Sequence, residues 1–139
     1  MKNDPIVEMF DSRSVEDYEK FNSYFEPLAE SLYLLTVLTL KDLPEDAKIL
    51  CVGVGAGADI IGLAHRKPSW EFTGIEPSKT MFEGCKKNLE SKGLTDRCHL
   101  FQGYLSDFQS SETYDAVLCF FVFHFIPLEE RKKMFHKHL

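Results

Sequence analysis

Hydrophobic and polar positions change their period along the chain. From Val15 the apolar residues Val15, Tyr18 and Phe21 recur at helical spacing, with charges between them, and Tyr24 and Phe25 continue the stripe. Residues 1–14 show no such period and read as an irregular lead-in. Pro27 interrupts the stripe and suits the first turn of a second helix, about Leu28 to Leu40. That helix is rich in leucine and apolar on most faces, which predicts that it is well buried. Lys41-Asp42-Leu43-Pro44-Glu45-Asp46 reads as a linker.

Beyond the linker, short apolar runs alternate with helical patterns. Lys48–Val52 reads as a first strand and Ala58–His65 as a helix, stopped by Lys67-Pro68-Ser69. Trp70–Ile75 is a second strand ending in Glu76. Ser78 is the expected N-cap of a helix that puts Met81, Phe82, Cys85 and Leu89 on one face and ends near Gly93. Arg97–Gln102 is a third strand candidate, followed by Gly103, Tyr104 and a polar loop. Ala116–Phe123 is an unbroken apolar run, the pattern of a central parallel strand covered on both faces. Pro127 opens a last helix, with Glu129 and Glu130 early and Arg131, Lys132, Lys133 and Lys137 later, an order that complements the helix dipole. The alternation predicts an α/β fold, a doubly wound parallel sheet with an N-terminal helical extension. One domain is expected over residues 1–139, with 1–44 as a helical cap and 45–139 as the ligand-binding half.

The turn after the first strand carries the candidate chemistry. Gly53-Val54-Gly55-Ala56-Gly57 sets three glycines in five positions. Without a Cβ they let the backbone turn sharply and approach a ligand, and the amides of the new helix start point at it. The run fits G-x-G-x-G and also, through Gly53, Gly55 and Ala58, the dinucleotide form G-x-G-x-x-A. Glu76 lies 19 positions after Gly57, close to the ~20-residue offset at which an acid meets a ribose in such folds. A right-handed crossover puts it at the glycines' end of the sheet. A tight strand–helix turn beside a solvated glutamate is the plainer alternative.

Composition narrows the ligand class. Net charge is −6 with no basic stripe, which disfavours nucleic acid. No apolar run approaches the ~20 residues needed to cross a bilayer, so no membrane is expected. Cys51, Cys85, Cys98 and Cys119 form no C-x-x-C pair and read as small buried hydrophobes of a reducing compartment, here the cytoplasm. No metal-ligand constellation appears: His136-Lys137-His138 has no partner. Tyr18 or Tyr24 reads as core, or as part of a lid over the ligand.

Together, Ile49–Gly57, Gly74-Ile75-Glu76-Pro77-Ser78-Lys79-Thr80-Met81, Gly93-Leu94 and Tyr114-Asp115-Ala116-Val117-Leu118 resemble the class I S-adenosylmethionine-dependent methyltransferases over roughly residues 10–138. The resemblance implies S-adenosylmethionine as cofactor and methyl transfer to a small-molecule acceptor. It implies that Gly53, Val54, Gly55 and Gly57 pass the methionine part, that Glu76 accepts from the ribose hydroxyls, and that Pro77, Ser78 and Met81 line the adenine. Tyr104 stands at the adenine, and Cys119 and Phe120 at the methionine amino group. Phe121 and His124 border the substrate, and His124 is the one candidate base, against the alternative of a histidine merely packed after an aromatic run.

The chain departs from that family in three ways. Cys51 stands where the family usually has an acid. Tyr104 stands where an acid often follows the glycine after strand three, with Asp107 as the alternative. The strand order implied is 3-2-1-4, the first part of the family's 3-2-1-4-5-7-6, which makes strand four an edge. The expectation is a fragment of a longer protein, truncated after this strand, or self-association through the edge. A methyltransferase-like binding domain without turnover, and a nicotinamide-binding fragment, are the alternative functions.

Overall fold

The computed structural model describes residues 4–138. The side chains of 134–138, with His136, Lys137 and His138 among them, lie outside the described residues. Three helices come first: α1 (Pro5–Asp11), α2 (Val15–Ser23) and α3 (Glu26–Thr39). They are followed by β1 (Lys48–Val52), α4 (Ala58–Arg66), β2 (Glu71–Glu76), α5 (Lys79–Ser91), β3 (Cys98–Gln102), β4 (Ala116–Leu118) and α6 (Leu128–His138). The lead-in is therefore a helix, not irregular chain. Asp4 caps it, accepting from the Ile6 amide at 2.9 Å, and Pro5 sits in its first turn. The segment has no long apolar stripe, so periodicity alone gives no signal.

The four strands form one parallel sheet in the order β3-β2-β1-β4, as expected. Ile49 and Cys51 face a core with Ile60, Leu63, Trp70, Phe72, Cys85 and Leu89, under α4 and α5. Leu50 and Val52 face the opposite side, with Ile75 and Leu105. This is the pleat of strands covered on both faces.

Two expectations about burial fail. Only Tyr33 and Thr36 of α3 are buried, while Leu28, Leu34, Leu35 and Leu38 are each more than half exposed. The helix packs against α4 through one side, and among the described residues nothing covers the other. Strand four is also shorter than its apolar run. Only Ala116–Leu118 pairs, against Ile49–Cys51, and Val117 is 40% exposed, so it is a short edge rather than a covered central strand. Phe121 takes a left-handed φ of 56°, which ends extended chain, and a short 3-10 turn follows at Phe123–Phe125. Cys119, expected inside the strand, lies just beyond it.

Candidate functional site

All four strands are parallel, so the loops that leave their carboxyl ends gather on one side of the sheet. The glycine turn leaves β1 there. Gly53 takes a φ of 70°, and a Cβ built on it would stand 2.3 Å from Val122 Cγ2. Gly57, at φ 91°, caps α4, and its Cβ would meet Cys85 Sγ at 2.8 Å. Backbone conformation and close approach thus both require glycine at these two positions. The turn is tied to β2: the amides of Gly53 and Val54 donate to the Ile75 carbonyl at 2.8 and 3.2 Å.

Glu76 stands at the tip of β2, 7% exposed. Its Oε2 accepts from the Gly55 amide at 2.9 Å and its Oε1 from the Ser78 amide at 3.0 Å. The carboxylate therefore lies against the glycine turn, where the crossover argument puts it. Burial pushes its pKa up and the Asp11 charge adds to that, while the two amides act in the opposite direction; the balance is a raised value. Each carboxylate oxygen keeps lone-pair capacity for a further donor.

Ser78 caps α5, its Oγ accepting from the Met81 amide at 3.2 Å, and Ser78 and Met81 are both buried. Pro77 is half-buried beside them. Cys119 and Phe120 pack half-buried at the exit of β4, against opposite faces of the sheet. Tyr104 is less enclosed. It is 41% exposed and its hydroxyl donates to Asp4 Oδ2 at 2.9 Å, so it is tied to the N-terminus of α1. Asp107 is exposed. His124 is exposed too, its ring 3.9 Å from that of Phe125. Phe121 is 70% exposed. Among the described residues no group of three His, Cys, Asp or Glu side chains could hold a metal ion. No helix of the described residues is long and apolar enough to cross a membrane.

The N-terminal helices lie over these loops. The Tyr18 hydroxyl sits 3.3 Å from where a Cβ on Gly55 would be. Tyr24 is 75% exposed, so of the two lid candidates only Tyr18 reaches the turn. Phe10 is edge-on to Tyr18 at 6.0 Å and to Phe125 at 5.7 Å. Asp11 Oδ1 accepts from Ser78 Oγ at 2.6 Å and from the Thr80 amide at 3.1 Å. Neither Phe10 nor Asp11 was visible as a site residue, because both sit in the stretch without periodicity. The N-cap signal at Asp4-Pro5 was the one cue to a helix there.

Cys51 is buried, and burial and the charge of Asp59 push its thiol up, so it is no nucleophile. Asp59 sits in the first turn of α4 and accepts from the Tyr33 hydroxyl at 2.8 Å. Burial raises its pKa despite that bond.

Known proteins share this fold. The chain is 32% identical over 79 residues to a release factor glutamine methyltransferase from Rhodopirellula baltica, covering 56% of this chain and 26% of that one. A crystal structure of a Methanococcus maripaludis protein superposes with a TM-score of 0.76 at 19% identity, over 89% of this chain and 57% of that one. The SAM-dependent methyltransferase from Thiobacillus denitrificans, solved with S-adenosyl-L-homocysteine, gives 0.61 at 21% identity, over 77% of this chain and 43% of that one. The chain thus spans less than three fifths of the length of each of these proteins. Residues 49–139, from the first strand through the glycine turn, Glu76 and the last helix, match the methyltransferase domain model, and the chain belongs to that family.

Proposed function

We propose that this chain binds S-adenosylmethionine across the tips of β1 and β2 and transfers its methyl group to a small-molecule acceptor. The observation that carries the reading is the Glu76 carboxylate held against the Gly55 amide, in a turn where a Cβ on Gly53 or Gly57 would clash. The residues fit the cofactor. Gly53, Val54, Gly55 and Gly57 offer close backbone to the methionine part, and Glu76 offers acceptors to the ribose hydroxyls. Pro77, Ser78 and Met81 form the adenine side, and Cys119 and Phe120 flank the amino end. Tyr104 borders the adenine only through its position after β3, since its hydroxyl is engaged by Asp4.

S-adenosylmethionine, when bound, supplies a methyl group on a sulfonium that a nucleophile can attack directly. The protein's own part is to bind, align and exclude water. Tyr18 closes over the glycine turn, and Phe10 packs edge-on against its ring. His124, exposed at the exit of β4, is the one side chain we assign as a base, and it takes a proton only from an acceptor that carries one. The small-molecule acceptor is carried over from the family resemblance, and the net charge of −6 disfavours a polyanion. The cytoplasm is proposed because all four cysteines are free.

A second reading is a methyltransferase-like domain that binds without turnover. It draws on Cys51, which offers no charge, and on the outward-tied Tyr104. Titration calorimetry with S-adenosylhomocysteine and with NAD, then transfer of labelled methyl to amine, peptide and RNA pools, separates the readings. Binding of NAD instead of S-adenosylhomocysteine overturns the first. Binding of S-adenosylhomocysteine with no transfer to any pool favours the second.

A further inference from the structure

The hydrogen bonds at the tip of β2 run beyond the site itself. Glu76 Oε2 takes the Gly55 amide, Glu76 Oε1 takes the Ser78 amide, and the Ser78 hydroxyl donates to Asp11 Oδ1 at 2.6 Å. Asp11 belongs to α1, 67 positions away in sequence from Ser78. The same Asp11 oxygen accepts from the Thr80 amide, and its backbone carbonyl accepts from Thr80 Oγ1 at 3.1 Å. Asp11 therefore sits where a carboxylate is favoured, at the start of α5. Burial acts to raise its pKa, but the bonds from Ser78 and Thr80 outweigh that and hold it below the usual carboxylate range. The other end of α1 is fixed to the loop after β3 by Tyr104 and Asp4. Its Phe10 packs on Phe125 beyond β4. One short helix thus touches the loops after β2, β3 and β4, and Tyr18 of the next helix reaches the loop after β1.

We propose that Asp11 is a positioning residue of the site. Through Ser78 it sets where the Glu76 carboxylate stands, and it couples closure of α1 to occupation of the glycine turn. The ligand half of this proposal rests on the S-adenosylmethionine reading above; the coupling half does not. The Ser78 hydroxyl has one proton, and giving it to Asp11 leaves the Ser78 oxygen free to accept from Met81. Loss of Asp11 lets that hydroxyl turn and frees the start of α5. Glu76, held on the far side of the same serine, then loses its fixed partner. A negative charge at Asp11 also repels Glu76, so the acceptor atom, rather than the charge, is what the coupling needs.

The test compares the full chain with Asp11→Ala and Asp11→Asn. Asparagine keeps an acceptor oxygen in place of Oδ1 and alanine keeps none. Amide hydrogen exchange is read at Gly55 and Ser78 without ligand, and S-adenosylhomocysteine affinity is read by calorimetry. In Asp11→Ala, exchange at Gly55 and Ser78 speeds up and affinity falls about tenfold, the loss typical of one bond to a charged group. In Asp11→Asn both return most of the way. Binding of S-adenosylhomocysteine to the native chain slows exchange along residues 5–11. Asp11→Ala with unchanged exchange at Gly55 overturns the coupling, even if α1 itself is loosened. A native chain that fails to bind S-adenosylhomocysteine overturns the cofactor reading instead, and the exchange data still decide the coupling. Equal losses in both variants overturn the positioning role, because asparagine keeps the acceptor.

Discussion

Glu76 and Gly55 are joined across two strands, the Gly55 amide donating to Glu76 Oε2 at 2.9 Å. The glycine supplies backbone that approaches closely, and the glutamate supplies the charge that such backbone can hold. Replacing Glu76 by Gln removes the charge and turns one acceptor into a donor that faces an amide. Loss of that charge-assisted recognition costs about 2 kcal/mol, which is ~30-fold in S-adenosylhomocysteine affinity. Calorimetry on Glu76→Gln checks it, and an unchanged affinity removes the ribose role.

The raised pKa of Glu76 gives that binding a pH dependence. The folded carboxyl keeps its proton to a higher pH than it does in the unfolded chain. Glu76 therefore favours the folded state at acid pH, and that contribution is lost as pH rises from the ordinary carboxyl range through the raised value. Ligand affinity runs the opposite way, since the ribose needs the charged acceptor: it falls on acidification, at a higher pH than an ordinary glutamate would cause. Affinity of the native chain and of Glu76→Gln, measured from pH 4 to pH 8, is expected to fall with acid in the first and to lack this titration in the second.

At Gly57 the structure predicts a loss that can be split in two. Alanine there carries the left-handed penalty, about 1–2 kcal/mol, and its Cβ meets Cys85 Sγ at 2.8 Å. Gly57→Ala is expected to lower stability in urea unfolding by more than the backbone term alone. Adding Cys85→Ala removes the clash and leaves a cavity of its own, so the double variant should lose less than the sum of the two single variants. Simple additivity would show that the two positions do not meet.

Tyr33 holds Asp59 through a 2.8 Å bond. Tyr33→Phe strips a largely buried carboxylate of this partner, a loss of about 1–3 kcal/mol. Burial has raised the pKa of Asp59, so the loss should shrink as acid neutralises it. Thermal unfolding at neutral and acid pH reads both, and a loss that is equal at the two pH values counts against the ionised partner.

The exposed side of α3 carries Leu28, Leu34, Leu35 and Leu38, and β4 beside β1 is a sheet edge. Apolar area of this kind drives association. Sedimentation of the 139-residue chain is expected to show concentration-dependent self-association, weakened in Leu35→Lys with Leu38→Lys. A dilute and concentrated monomer alike would rule the contact out.

Local pattern determined the parallel sheet and the meeting of Glu76 with the glycine turn, and the family resemblance implied the strand order 3-2-1-4. Strand–helix–strand units admit one handedness, so residue order alone places the carboxyl ends of β1 and β2 together. The N-cap at Ser78 and the glycines needed at Gly53 and Gly57 follow from local backbone requirements in the same way. Tertiary structure decided what no local period encodes. Whether a leucine-rich helix is covered depends on what packs against it, and α3 meets α4 on one side only. How much of an apolar run pairs depends on its neighbours, and β4 pairs over three residues before Phe121 turns the chain away. Asp11 and Ser78 are 67 positions apart, and only folding brings that carboxylate to that hydroxyl, because a hydrogen bond reads distance in space and not along the chain.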